Sequence, residues 1–231
     1  MRTDDSSQMG GEKETGRLEA FSDAVFAIAI TLLVLGIKVP PHMEGVSSWG
    51  LLTLLFKQWP SYLAFFLSFI SILVIWVKHH NVFTHIKHVD NHFLYLNGLL
   101  LLFVTLLPFP TALLAAYIQH EPKVAAVVYS GNYLCIALAF NLLWRYASSD
   151  GYRLLGKDMD QGLVVIINRR CNYGLLYTLG SVFFAFVNEN LFLAYLLIFL
   201  PFNMYPLSLW RTNSDSGKNR THAKPPKSPI A

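Results

Sequence analysis

Long apolar blocks separated by short polar stretches constrain the fold of this chain more than any other feature of its sequence. Of its 231 residues, 54% are hydrophobic and only 14% are charged, whereas charged residues make up roughly 25% of an average soluble protein. A helix that crosses a bilayer needs roughly 20 mainly apolar residues and satisfies its backbone hydrogen bonds internally. The pattern therefore predicts an all-α integral membrane protein.

The apolar blocks predict six transmembrane helices. Their expected positions are about 18–38, 60–78, 93–118, 124–146, 172–188 and 190–209. The first contains the short apolar run Ala24–Ile37, a length that also suits the core of a signal peptide. No small-residue cleavage site follows it, which disfavours that alternative. The fifth is also short, and its helix is expected to begin in the cytosol near Val164.

The basic residues predict the orientation. With the N-terminus in the cytosol, every Lys and Arg except Lys38, Lys57 and Lys123 falls on the cytosolic side, as the positive-inside rule requires. Both termini are then cytosolic. We expect a polar N-terminus at 1–16, a six-helix domain at 17–210 and a disordered tail at 211–231, which is rich in Lys, Pro and Ser. The net charge of +4 fits contact with anionic membrane lipid, and we expect no nucleic-acid partner.

The sequence lacks the common motifs of enzyme active sites. The chain has no HExxH, GxSxG or phosphate-binding glycine motif, so we expect neither an enzyme nor a bound cofactor. The interiors of spans two to six also lack acidic and basic residues, which coupled transporters commonly place near the membrane midplane. This favours passive permeation, with a secondary transporter or a non-conducting scaffold as alternatives.

Five histidines cluster between the second and third spans. They are His79, His80, His85, His88 and His92. Imidazole is a common metal ligand, but this segment contains no cysteine and only one carboxylate, so we expect no metal site. The simpler interpretation is a cytosolic turn in which Trp76, His79 and His80 donate hydrogen bonds to neighbouring helix ends.

The first span has two faces. At about 100° per residue, one stripe of an α-helix contains Ile28, Thr31, Leu32 and Leu35. Ser22 and Asp23 point away from this stripe, toward neighbouring helices. The residues alone favour a simpler interpretation, in which the polar pair only complements the helix dipole and the stripe packs on lipid or on a bundle core.

A longer motif resembles a known family. Arg17-x-x-x-Phe21-Ser22-Asp23, followed by AVFAIAITLLVLGIKVP, resembles the signature of the transmembrane protein 175 family of potassium channels. Trp76, the triplet His79-His80-Asn81 and the stretch LLPFPTALL at 106–114 are also similar to that family. The resemblance covers most of the chain apart from the first 16 residues and the tail.

The resemblance implies a pore without a TVGYG filter, lined by the first helix of each subunit. Ile28, Leu32 and Leu35 would form its apolar constriction, with Thr31 as a polar ring. A structural network would contain Arg17, Phe21, Ser22, Asp23, Trp76, His79 and His80. Because the six-span unit occurs once, four chains would surround one pore, as a homotetramer whose only bound species are permeant potassium ions. The membrane would be the prokaryotic plasma membrane, or that of endosomes and lysosomes in a eukaryote.

Overall fold

The computed structural model describes residues 3–42, 45, 47–149, 154–155 and 159–203, and these residues are almost entirely helical. The expected tail at 211–231 lies outside the described residues. The helices are α1 (Thr3–Leu32), a 3₁₀ turn (Leu33–Gly36), α2 (Ser48–Lys57), α3 (Trp59–Phe83), α4 (Asn91–Leu106), α5 (Pro108–Tyr117), α6 (Pro122–Ala147), α7 (Gln161–Val187) and α8 (Glu189–Asn203).

A helix lies at each of the six predicted spans. Within the described residues, four stretches are long and apolar enough to cross a membrane by length and composition, and they are Glu14–Gly36, Trp59–Phe83, Asn91–Tyr117 and Pro122–Ala147. The apolar part of α8 is shorter, and α7 carries Arg169 and Arg170 within its length. The structure therefore confirms an all-helical protein with several membrane-length helices, while six crossings remain a prediction.

Helix α1 begins at Thr3, well before the predicted first span, and two other helix boundaries also differ from the predicted ones. Helix α3 continues to Phe83, so His79 and His80 lie on its last turns rather than in a loop. The predicted third span is divided at Leu107, where α4 ends and α5 begins with Pro108. A proline has no backbone N–H to donate to the preceding turn, which explains the break. The hydroxyl of Thr111 donates to the carbonyl of Leu107 at 2.8 Å and supports the chain there.

The segment before the second span also forms a helix. Ser47 caps α2, accepting a hydrogen bond from the backbone N–H of Gly50 at 3.1 Å. Serine is a preferred residue at this position because its oxygen satisfies one of the unpaired N–H groups of the first turn. Trp49 on this helix is 80% exposed, and none of the residues of α2 is buried.

Helix α6 lies at the centre of the packing, where it contacts α4, α5 and α7, while α1 packs against α3 and α4. The main core contains large, fully buried side chains, among them Phe26, Ile72, Phe93 and Trp144. The loops after α3 and α6 meet, because the N–H of Lys87 donates to the carbonyl of Leu154 at 2.9 Å. This arrangement leaves one side of α1 uncovered.

Candidate functional site

The uncovered side of α1 carries the predicted stripe. Ile28 is 57% exposed, Leu32 41% and Leu35 71%, and Thr31 is exposed beside them. In the most apolar part of this span only 22% of the residues are buried, against 33–44% in the other three. Apolar side chains left uncovered at helical spacing require lipid or another protein surface as a partner.

The stripe does not follow α-helical geometry to its end. Leu33–Gly36 form a 3₁₀ turn, in which residues three apart eclipse one another. Ideal 3₁₀ geometry would align Leu35 with Leu32, the residue that precedes the turn, and Leu33 between them is buried. An ideal α-helix separates the two leucines by about 60°, so 3₁₀ geometry aligns them more closely than the helical spacing predicted.

Ser22 begins a buried chain of hydrogen bonds that links α1 to α4 and α3. Its hydroxyl donates to the carbonyl of Leu18 at 2.9 Å and accepts from the amide Nδ2 of Asn97 at 2.9 Å. The Oδ1 of Asn97 lies 3.0 Å from Nε2 of His79. Because Oδ1 can only accept, His79 Nε2 donates, and the direction of every bond in the chain is fixed. Ser22, His79 and Asn97 are all at most 1% exposed.

Asp23 forms a second link, to α3. Its Oδ1 accepts a hydrogen bond from the indole Nε1 of Trp76 at 2.8 Å. The Trp76 ring stacks on His80 with centroids 5.9 Å apart, and His80 Nδ1 lies 3.0 Å from Oε1 of Glu19. Ser22 and Asp23 thus both contact helices that neighbour α1.

Two residues of the predicted network are not brought into it. Arg17 is exposed, and Phe21 is 59% exposed on the side of α1 that continues into the stripe. Neither side chain takes part in the hydrogen bonds that Ser22 and Asp23 form within the single chain. Their predicted structural role therefore requires a surface outside this chain.

Sequence reasoning missed two members of the network, Asn97 and Glu19. Asn97 lies inside the run LYLNGLLLL, and an uncharged amide in such a run is usually turned toward the bundle, where it finds a partner. That signal identifies Asn97 as buried but not its partners. Glu19 lies one turn before Asp23, on the same side of α1.

Among the described residues, one group offers the donor types of a metal site. A ligand atom from each of Glu19, Asp23 and His80 lies within 4.8 Å of the others. Each of these groups already has a protein partner, since Asp23 accepts from Trp76 and His80 pairs with Glu19. The arrangement is accounted for by contacts within the protein.

Asp23→Ala is expected to weaken the attachment of α1 to α3. The substitution leaves the Trp76 indole N–H without its acceptor, and a hydrogen bond to a charged group is worth about 1.5–3 kcal/mol. Thermal unfolding of the purified protein should shift to lower temperature, and any oligomer that the wild type forms in size-exclusion chromatography should dissociate more readily. Asp23→Asn is the matched control, because its amide oxygen can still accept from Trp76. Unchanged melting and oligomeric state in Asp23→Ala would contradict the attachment.

The chain is similar to proteins of known identity. A family model described as the endosomal/lysosomal potassium channel TMEM175 matches residues 17–108. A potassium channel of Chamaesiphon minutus is 54% identical over 164 residues, covering 71% of this chain and 80% of that protein. One of Streptomyces collinus is 42% identical over 199 residues, covering 84% and 95%. The human endosomal/lysosomal proton channel TMEM175 is 33% identical over 138 residues, but these make up only 27% of its length.

Two solved structures are also similar. The crystal structure of a lysosomal potassium-selective channel TMEM175 homolog from Chamaesiphon minutus superposes with a TM-score of 0.75 at 46% identity, covering 83% of this chain and 97% of that one. The crystal structure of a single-residue variant of the potassium channel MtTMEM175, in complex with a nanobody fusion protein, superposes with a TM-score of 0.58 at 22% identity. It covers 86% of this chain and 93% of that one, and it supports the fold alone.

Proposed function

Because this chain belongs to the TMEM175 family, whose members are multi-pass membrane ion channels rather than enzymes, we propose that it is a potassium channel. The relatives that it matches over most of their length are named potassium channels. We further propose that four copies surround one pore, that each contributes six crossings with both termini in the cytosol, and that a prokaryotic plasma membrane holds the assembly.

The uncovered face of α1 is the observation that supports a pore lined by this helix. Ile28, Leu32 and Leu35 are exposed on a helix whose other side is fixed by Ser22 and Asp23. Around a four-fold axis, these side chains would form rings facing one another. A ring of large apolar side chains forms a narrow, dry constriction that closes by dewetting.

Selectivity in such a pore has to arise without a carbonyl cage. Apolar rings offer no ligand for a bare ion, so the ion with the lower dehydration cost, potassium, passes more easily than sodium. Thr31 is the polar group nearest to the constriction, although its hydroxyl donates to the carbonyl of Ile28 at 2.9 Å. Its oxygen can still accept a hydrogen bond from the water around an ion. We expect a modest preference for potassium.

Arg17 and Phe21 fit this assembly as residues between subunits. Both are exposed at the same end of α1 as Asp23, and an exposed Phe is better accommodated against a neighbouring chain than in water. A non-conducting scaffold would use the same helix as a contact, with Ala20, Ala24 and Ala27 at the interface. Flux measurement separates the two.

The function is tested with purified protein in liposomes that hold a potassium gradient. We expect potassium flux well above that of empty liposomes, a smaller sodium flux under the same gradient, and single-channel currents. Because the animal relatives are named proton channels, proton flux is measured in parallel. Saturable transport without single-channel currents would indicate a transporter. Flux equal to that of empty liposomes would contradict the channel and favour the scaffold.

A further inference from the structure

A cleft separates α3 from the pair formed by α6 and α7. Helices α6 and α7 pack together along their length, whereas α3 makes almost no close backbone contact with either. The space left between them is a partly open cleft of about 120 Å³. This is comparable to an engineered apolar protein cavity of roughly 150 Å³ that binds benzene. The cleft is large enough for a section of hydrocarbon chain.

The walls of the cleft are apolar along most of their length. Val74 and Ile75 contribute from α3, and Ile136 and Phe140 contribute from α6. The lining also includes two hydroxyl-bearing residues, Ser71 and Thr178. Ser71 and Lys78 are seven residues apart on α3, so the apolar section is about 10 Å long. This length suits the first part of an acyl chain, with the rest leaving through the open side.

One end of the cleft is basic. Lys78 from α3 and Arg170 from α7 both line it, and no Asp or Glu does so among the described residues. The distribution of basic residues places this end at the cytosolic side of the membrane. Basic pockets between membrane helices at that depth attract the head groups of anionic lipids.

Asn141, which also lines the cleft, carries an unsatisfied acceptor. The amide Nδ2 of Asn141 donates to the carbonyls of Ala137 at 2.9 Å and Cys171 at 3.1 Å, which fixes the orientation of the amide. Its Oδ1 is buried and accepts no hydrogen bond within the described part of the chain, and the residue is 6% exposed. A buried acceptor without a partner calls for a donor from water or from a ligand. A hydroxyl group of a lipid head group supplies such a donor.

We propose that this cleft binds an anionic phospholipid of the cytosolic leaflet with a hydroxylated head group. Its phosphate lies between Lys78 and Arg170, a head-group hydroxyl donates to Asn141, and the first part of one acyl chain occupies the apolar walls. Arginine and lysine pair with phosphate through charge-assisted hydrogen bonds. The site is separate from the uncovered face of α1, and lipid binding does not depend on ion conduction.

Native mass spectrometry of the full protein in detergent tests the proposal, with phosphatidylglycerol and phosphatidylcholine of identical acyl chains as probes. The wild type should retain phosphatidylglycerol at least about tenfold more tightly, which corresponds to one charge-assisted contact. The double variant Lys78→Gln, Arg170→Gln should lose this preference. Lys38→Gln, Lys57→Gln removes the same charge at exposed positions elsewhere and should keep it.

A second variant tests the apolar part of the cleft. A Cβ added at Gly174, which lines the cleft, meets no atom within 4 Å, so Gly174→Leu places a side chain in the space without a backbone clash. It should reduce retention of phosphatidylglycerol about tenfold. Gly131→Leu, also without atoms within 4 Å of the new Cβ, lies outside the cleft and should leave retention unchanged. If the charge variant does not fold, this pair of variants decides the question.

Several outcomes would overturn the proposal. Equal retention of phosphatidylcholine would show that the basic end does not recognise a head group. Displacement of the lipid by inorganic phosphate alone would indicate a simple anion site, and stronger retention of oleate than of phosphatidylglycerol would indicate a fatty-acid site. Retention unaffected by Gly174→Leu would place the bound lipid elsewhere. Because every readout is lipid retention, a failed flux measurement and a failed lipid measurement are distinguishable.

Discussion

Ile28→Asn is expected to raise potassium flux about tenfold, since lowering a barrier by about 1.4 kcal/mol has this effect on a rate. Ile28 is 57% exposed on the uncovered face of α1 and would form one apolar ring of the constriction. An amide ring holds water where an isoleucine ring excludes it, so ions cross with less dehydration. Because ions then keep more of their water, the difference in dehydration cost counts for less, and the preference for potassium over sodium should weaken.

The matched control is Ile198→Asn. Ile198 is 68% exposed on α8, so the same substitution there introduces the same polarity away from α1. Both variants are reconstituted in liposomes, and flux and reversal potential are compared with the wild type. Unchanged flux and reversal potential in Ile28→Asn would remove this residue from the ion pathway. An equal rise in both variants would attribute the effect to a general loss of membrane integrity.

Asn97→Leu is expected to destabilise the protein, because it removes two buried hydrogen bonds of the polar network at once. It keeps the branching and the number of heavy atoms of the side chain but leaves the buried Nε2–H of His79 without an acceptor, which costs about 1–3 kcal/mol. At roughly 2–4 °C per kcal/mol for a chain of this size, the melting temperature should fall by several degrees. Because Asn97 also donates to Ser22, α1 should lose its buried hydrogen bond to α4 as well.

A double-mutant cycle separates the hydrogen bond from general packing. His79 lies between the rings of Phe26 and Phe83, with centroid distances of 5.3 and 4.1 Å, so an apolar residue is compatible with its surroundings. His79→Leu combined with Asn97→Leu removes both partners of the hydrogen bond. Replacing both polar groups costs far less stability than leaving one of them buried without a partner. The double variant should therefore melt at a higher temperature than Asn97→Leu alone. Strictly additive melting shifts would contradict the proposed coupling.

The hydropathy pattern predicted the positions of the helices well, because a helix in hydrocarbon needs a long apolar run. It failed where a polar side chain is buried against other parts of the protein. The expected loop at His79 and His80 is the clearest case. Polar residues end an apolar run in the sequence, but Asn97 and the rings of Phe26 and Phe83 provide His79 with a protein interior, and α3 continues to Phe83. The contacts with Phe26 and Asn97 join residues far apart in the chain, and no local pattern contains them.

Helical spacing is enough to predict the stripe on α1, but it does not show whether the stripe lines a pore, packs on lipid or contacts another chain. Ile28 and Leu32 lie on one side because four residues complete about one turn. The cleft beside α3 had no signal in the sequence, since Lys78 and Arg170 are 92 positions apart and only the packing of α3, α6 and α7 brings them to one space. Asn141 shows the same limit, because an amide in an apolar run does not reveal which of its atoms lacks a partner.

The 3₁₀ turn at Leu33–Gly36 has a mechanical consequence for the end of α1. Relative to Leu32, converting this turn to α-helix would rotate Leu35 by about 60° and shorten the rise between them by about 1.5 Å. Cysteine cross-linking between copies of the chain at position 35, compared in conducting and closed conditions, would detect such a rotation. The anchors at Ser22 and Asp23 lie more than two turns away, so they need not move. Changing the pitch of four residues is thus enough to bring two stacked leucines out of alignment.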